Sequence, residues 1–237
     1  MLIIYIIISQ KLKIKTMKKK IHSVILARGG SKGIDNKNLY PINSKPLIYW
    51  SIKKSLESNL INKTWVSSDS QEILDYSKKV GANIIERPSK FATDRSSSEV
   101  AWLHAARKLE HDAEIIVGIQ PTSPIRDGKD FDNALRKFFQ YNYDSLFTAL
   151  RINDFFIWKK NKTKLVANYN YKKRPRRQKI DDKFHENGSF YIFKTKKFLR
   201  YKSRLFQKIG IYEMEKIKSF QIDDMNDLKI VEKLMKK

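Results

Sequence analysis

Apolar and polar positions change their period several times along this chain, and the changes mark out its elements. Short apolar runs at Ser23–Ala27, Lys63–Ser68, Asn83–Glu86, Glu114–Ile119 and Ser145–Arg151 read as strands. Between them, Pro46–Leu60, Gln71–Val80, Ser97–Leu109 and Asp130–Tyr141 carry apolar residues at helical spacing, as with Leu47, Trp50, Ile52 and Leu56. This βαβα order predicts an α/β fold with a doubly wound, mostly parallel sheet. In such a sheet ligands bind beyond the carboxyl ends of the strands. From residue 152 the pattern loosens. Phe155–Lys159, Leu165–Asn168, Ser189–Lys194 and Ile209–Lys216 read as further strands, and Met225–Lys236 as a closing helix. Residues 152–185 read as an excursion from a single domain over 17–237, with no internal repeat and no low-complexity linker.

Composition narrows the chemistry. Of 237 residues, 41% are hydrophobic and 12% aromatic, which is enough for a sizeable core and argues against wholesale disorder. There is no cysteine, so disulfides, thiol catalysis and cysteine-ligated metals are excluded. The formal net charge is +24, from 49 Lys and Arg against 25 Asp and Glu. Most of it is lysine scattered among asparagine and isoleucine, a pattern that a biased proteome explains as well as a binding surface does. The run Lys172, Lys173, Arg174, Arg176, Arg177, Lys179 is denser and richer in arginine. The apolar stretch Leu2–Ile8 is too short to span a bilayer, which takes roughly 20 residues. Residues 1–16 therefore read as an extension ahead of a start at Met17, with a short membrane-surface anchor as the alternative. The expectation is a cytoplasmic protein with no stable membrane insertion.

The most informative segment follows the first strand. Arg28-Gly-Gly-Ser-Lys-Gly33, then Lys37-Asn38, ends an apolar run in a glycine-rich, cationic loop. Glycine lets the backbone approach a ligand closely and aim its N–H groups at anionic oxygens. Arg28, Lys32 and Lys37 add positive charge, so the loop is suited to a triphosphate. It is neither a Walker A loop, because Lys32 precedes Gly33, nor a Gly-x-Gly-x-x-Gly fingerprint. A plain strand-to-helix turn with surface lysines remains the alternative. The four histidines are dispersed without ligand spacing and are assigned no chemistry.

Seven blocks in order resemble the acylneuraminate cytidylyltransferases, the enzymes that make CMP-sialic acid and related CMP-nonulosonates. They are Leu26–Ile34 with Lys37-Asn38; Val66–Asp69; Arg87-Pro88 with Thr93–Ser98; Gln120–Pro124; Arg174–Gln178; Glu186–Tyr191; and Ile222-Asp223. The resemblance runs from about Ile21 to Leu234. It implies a nucleotide-diphospho-sugar transferase-like fold and a nucleotide site at Ala27, Arg28, Lys37, Asn38, Arg87 and Ser98. It also implies an acceptor-sugar site at Gln120, Asn187, Gly188 and Tyr191, although Asn187-Gly188 alone is also a common hairpin turn. The basic excursion is implied to reach the active site of a partner in a homodimer. There Arg176 and Arg177 would meet the acceptor's carboxylate, which an arginine fork matches bidentately.

The implied reaction is CTP plus a sialic-acid-like nonulosonate giving CMP-nonulosonate and pyrophosphate, with Mg²⁺ as cofactor and with Arg28, Lys32 and Lys37 stabilising charge. No general base is evident. The family pattern ends in two aspartates one residue apart, and here those positions are Gln221 and Asp223. On a regular strand i and i+2 share a face. Asp223 is then the expected metal carboxylate, with Gln221 beside it and Asp227 a weaker candidate that more naturally caps the last helix. Sialic, legionaminic and pseudaminic acids are not separated by the sequence. The alternatives are a CMP-3-deoxy-manno-octulosonate synthetase-like enzyme, or a basic nucleic-acid-binding protein on a degenerate version of this fold. The main reading expects no nucleic-acid partner.

Overall fold

The computed structural model describes residues 19–31, 33–152, 156–176 and 183–236. Its centre is a seven-stranded sheet. The strands are β1 (Ile21–Leu26), β4 (Lys63–Ser68), β5 (Asn83–Glu86), β6 (Ile115–Ile119), β7 (Ser145–Ile152), β10 (Lys183–Lys194) and β11 (Ile209–Glu213), in spatial order β11-β7-β10-β6-β1-β4-β5. Only β10 runs antiparallel to its neighbours β6 and β7. The period-two pattern explains the layering. Ile21 and Ile25 enter a cluster with Ile48, Ile52, Phe131, Leu135 and Phe138, while Val24 enters another with Trp102, Ala105 and Phe198. Helices α1 (Leu47–Leu56), α2 (Gln71–Lys79) and α4 (Gly128–Gln140) cover the first face; α3 (Ser98–Lys108) and α5 (Thr195–Tyr201) cover the second. The sheet is doubly wound, as the pattern requires.

The first predicted helix stops four residues early, and the reason is a buried carboxylate. Asp132 of α4 accepts hydrogen bonds from Ser58 Oγ at 2.6 Å and from the amides of Asn59 and Leu60 at 3.1 and 3.2 Å, drawing the chain out of helical geometry. Two elements have no counterpart among the predictions. One is α5. The other is a hairpin of β2 (Pro41–Ile42) and β3 (Lys45–Pro46), turned by Asn43 and Ser44, both at positive φ. It carries a third cluster, Ile34, Ile42, Leu47, Ile222, Leu228 and Val231, which seats the last helix, α6 (Met225–Met235), beside the glycine loop.

Strand β10 begins six residues before the predicted Ser189, and its early part extends β7 outward to Ile152. Between them, β8 (Trp158–Asn161) and β9 (Lys164–Ala167) pair with each other and stand outside the main sheet. The predicted strand from Phe155 falls partly on residues outside those described. No helix among the described residues is long and apolar enough to cross a membrane.

Candidate active site

Chain order 5-4-1-6 across the parallel strands reverses between β1 and β6, and the crevice at their carboxyl ends is where such a sheet binds ligands. A cavity of about 340 Å³ opens there. Its wall carries Arg28, Lys37, Asn38, Arg87, Ser98 and Gln120. Six residues expected from three separate blocks are thus brought together. Three cations face one carboxylate, Asp94, among the described lining residues, and no histidine joins them.

The glycine loop is shaped by side chains from elsewhere. Asn38, itself buried, donates from Nδ2 to Arg28 O at 2.9 Å. Asp69 accepts from the Gly29 amide at 3.1 Å. Ala27 is fully buried with its amide on Ser67 O at 3.1 Å, so it presents backbone only. The Arg28 guanidinium is a third exposed and pairs with Asp94 at 2.8 Å. Arg87 is 4% exposed, 3.8 Å from Asp69, with Nε buried and unpartnered. Burial lowers its pKa, Asp69 opposes that, and Arg28 adds to the lowering. A cation held with a donor unspent beside a cavity is primed for an anionic ligand. Ser98 opens α3, with Ser97 as its N-cap. Lys32 lies outside the described residues.

Lys37 does something other than simply face a phosphate. Its ammonium donates to the carbonyls of Ile222 and Asp223, at 3.0 and 3.1 Å. Gly33 fits against the same segment, where a Cβ would come within 2.3 Å of Asp223 O. Residues 221–223 are not a strand here, in contrast to the geometry expected of the two metal positions. Ile222 is buried, Asp223 is exposed, and Gln221 turns to donate from Nε2 to Asn187 O at 2.5 Å. Asp227 accepts from the amides of Asp223 and Asp224 at 3.0 and 3.1 Å and forms a capping box with Asp224. That fits a helix cap. No group of three His, Asp or Glu that could hold a metal is found among the described residues.

On the acceptor side, Asn187 and Gly188 lie within β10 at a register shift, not in a hairpin turn. Asn187 is fully buried; its Oδ1 accepts from Thr148 Oγ1 at 2.6 Å and its Nδ2 donates to Ser219 Oγ at 3.1 Å. Its side chain is spent on the protein. Gly188 has φ +63°, and a Cβ there would stand 3.0 Å from both Gln120 Oε1 and Gln221 Nε2. Tyr191 points to the second face of the sheet, packed on Trp102 at 5.5 Å, with its hydroxyl donating to Glu186. Burial and then Glu186 push its phenol above the ordinary value. Arg176 is exposed at the end of the excursion, and Arg177 lies outside the described residues.

Arg126 was not expected and is central. Its guanidinium is buried and donates to Ser189 O at 2.7 Å, to Gln120 O at 2.6 Å and to Ser123 O. Burial pulls its pKa down to about 9, against the pull of Asp130, so it stays charged at neutral pH. The carbonyls it collects lie in the loop after β6 and within β10, where the Gln120 amide also bonds Ser189 O at 3.2 Å. The local signal was only an arginine two residues beyond Pro124. Asp69 and Asp94 sat inside recognised blocks without an assigned role.

Comparison with known proteins bears on the family and the fold. Residues 23–237 match the family described as cytidylyltransferase. The chain is 34% identical over 210 residues to N-acylneuraminate cytidylyltransferase A of Danio rerio, covering 86% of this chain and 48% of that protein. It is 28% identical over 222 residues to the pseudaminic acid cytidylyltransferase of Campylobacter jejuni, covering 90% of this chain and 95% of that one. It thus spans about half the fish relative's length and nearly all of the bacterial one's. A solved CMP:2-keto-3-deoxy-manno-octonic acid synthetase complexed with CTP superposes with a TM-score of 0.69 at 18% identity, covering 92% of this chain and 98% of that one, which speaks to the fold.

Proposed function

The chain belongs to the cytidylyltransferase family, and from that membership we propose that it joins CMP from CTP to a sialic-acid-like nonulosonate, releasing pyrophosphate. One observation carries the reading. The cavity at the reversal of strand order has Arg28, Lys37 and Arg87 on the glycine-loop side and Gln120 at its other edge. A triphosphate fits the cationic side. Gln120, ending β6, is placed to orient a hydroxyl-rich acceptor above it. The acceptor's anomeric oxygen then forms a bond to the α-phosphorus as the bond to pyrophosphate breaks, and the hydroxyl proton leaves to solvent. With no histidine among the described lining residues and Asp94 engaged by Arg28, the chain's contribution is alignment and charge stabilisation.

The residues accommodate Mg²⁺ on modest terms. Mg²⁺ takes one or two carboxylates and completes its shell with water and phosphate oxygens. Asp223 supplies one exposed carboxylate on a segment that Lys37 fixes against the glycine loop. When bound, the ion would neutralise charge on the nucleotide's phosphates. Arg28 and Arg87 share that work as fixed charges.

The reading includes a homodimer. The excursion exposes Ile157, Trp158, Leu165, Val166 and Tyr171, an apolar surface that a second copy would cover. Beside it Arg174 stacks over Phe156 at 4.1 Å, and Arg176 would reach the partner's acceptor site. A light-scattering mass of two chains is expected, and a monomer at micromolar concentration removes this part.

Pyrophosphate release from CTP should require both Mg²⁺ and a sugar acid, assayed with sialic, legionaminic, pseudaminic and octulosonic acids, with GTP as a second nucleotide. Folded protein that releases none with any acid overturns the proposal. Preference for the octulosonate would move the reading to the octulosonate synthetase type.

A further inference from the structure

Residues 221–223 cross the molecule behind the cavity and touch both of its sides. The Gln221 amide donates to Asn187 O, the Ile222 amide donates to Thr122 O at 2.8 Å, and Lys37 takes the carbonyls of Ile222 and Asp223. We infer that Gln221 is a positioning residue for the acceptor, holding the Asn187–Gly188 bulge against Gln120, and that it is not a metal ligand. The inference rests on the acceptor-side reading given above.

The argument is one of hydrogen-bond polarity. Asn187 O is a buried acceptor at a point where the β10 register shifts, so the ladder supplies it no donor. A buried carbonyl without a donor costs more than a typical hydrogen bond contributes. Gln221 supplies the missing N–H, which a carboxylate at this position could not do. An aspartate or glutamate here would set an anionic oxygen against a carbonyl oxygen. The amide is therefore spent in orienting the bulge, and its nitrogen packs over Gly188, 3.0 Å from where a Cβ would stand. Gln120 Oε1 closes the same glycine at the same distance. Two glutamine amides thus grip one glycine from the two ends of the acceptor wall, and only Gln120 lines the cavity itself. A shift of the bulge would change what Gln120 presents to the acceptor and leave the glycine loop untouched.

Gln221→Glu keeps shape and removes the donor; Gln221→Met keeps length and removes all polarity. For either, KM for the sugar acid should rise roughly tenfold, the scale of one hydrogen bond to a buried acceptor. KM for CTP and the Mg²⁺ concentration for half-maximal rate should hold within about twofold. Calorimetric binding of Mg²⁺ with CTP should be unchanged, and amide exchange over 187–191 should accelerate. If Gln221→Met does not fold, Gln221→Glu carries the test. A raised magnesium requirement with an unchanged acceptor KM would make Gln221 a metal ligand after all. Unchanged exchange at 187–191 likewise overturns the latch. Failure of the wild type to use any sugar acid would strike the functional reading instead, and the exchange measurement would still decide the role of Gln221.

Discussion

The glycine-loop wall of the cavity carries Arg28 and Lys37 as partly exposed side chains, whereas the segment from Gln120 through Gly188 to Gln221 is held by polar groups buried behind the opposite wall. Arg28 is a third exposed and answers to one carboxylate that a ligand can displace. Arg126, behind the other wall, is fully buried and answers to backbone carbonyls of Gln120, Ser123 and Ser189. Both are arginines beside the same cavity. The first is available to a ligand, and the second is consumed in keeping strands β6 and β10 at the right separation. Identity of residue type therefore says little about role; what surrounds the guanidinium decides it.

That contrast can be broken by three measurements. The largest effect is expected at Arg28→Ala. Turnover should fall by roughly 10²–10³, the scale of one electrostatic stabiliser in a transition state, while the thermal midpoint stays within a few degrees. Near-wild-type turnover would return the loop to an ordinary strand-to-helix turn.

Arg126→Met should show the opposite split. Three carbonyls lose a charged donor, a loss of about 1.5–3 kcal/mol for each such bond, and removing a buried charge offsets part of that. A net loss near 3 kcal/mol is expected in urea denaturation, with Arg126→Lys losing less. If Arg126→Met is as stable as the wild type yet loses activity, Arg126 acts on the ligand and does not hold the wall.

The smallest effect concerns the support beneath the acceptor wall. Glu99 forms a fork with Arg204, at 2.7 Å for one pair, and Arg204 lies over the rings of Trp102 and Tyr191 at 4.8 and 4.7 Å. The hydrogen bond from Arg204 pulls the Glu99 carboxyl below its usual value, against burial. A depressed carboxylate pKa contributes stability that is fully present above the unfolded-state pKa near 4.5 and is lost as pH falls through the folded value. Glu99→Gln should cost about 1 kcal/mol at pH 7, reduced by the partial exposure of the pair. The difference from wild type should shrink as pH drops below about 4.5. A difference that does not change with pH would mean packing, not charge, sets the contribution.

Much of the core was legible from periodicity. Strands β4 and β5 and the start of α2 fall where the apolar pattern puts them, because short apolar runs bounded by polar residues pair into the sheet and the helix buries one face on it. The boundaries that moved did so for non-local reasons. Asp132, far along the chain, ends α1, and pairing with β7 lengthens β10. The hairpin at Asn43-Ser44 escaped notice because its turn lacks the usual glycine. Among site residues, Arg28, Asn38, Arg87, Ser98 and Gln120 lie together in blocks whose order the sequence displays. Asn187 and Tyr191 turn inward, and no local pattern reports which way a residue beside a register shift will face.

By itself, then, the sequence determined the α/β class, the strand-then-glycine-loop geometry and the family. Those depend on near neighbours: period, turn chemistry and runs of a few residues. Tertiary structure alone decided that Lys37 binds two carbonyls, that Arg126 bridges β6 and β10, and that Gln221 meets Asn187. Each is a hydrogen bond between segments up to 186 positions apart. Such bonds form because backbone groups outside a regular ladder still need partners, and whichever side chain the fold carries past them supplies one.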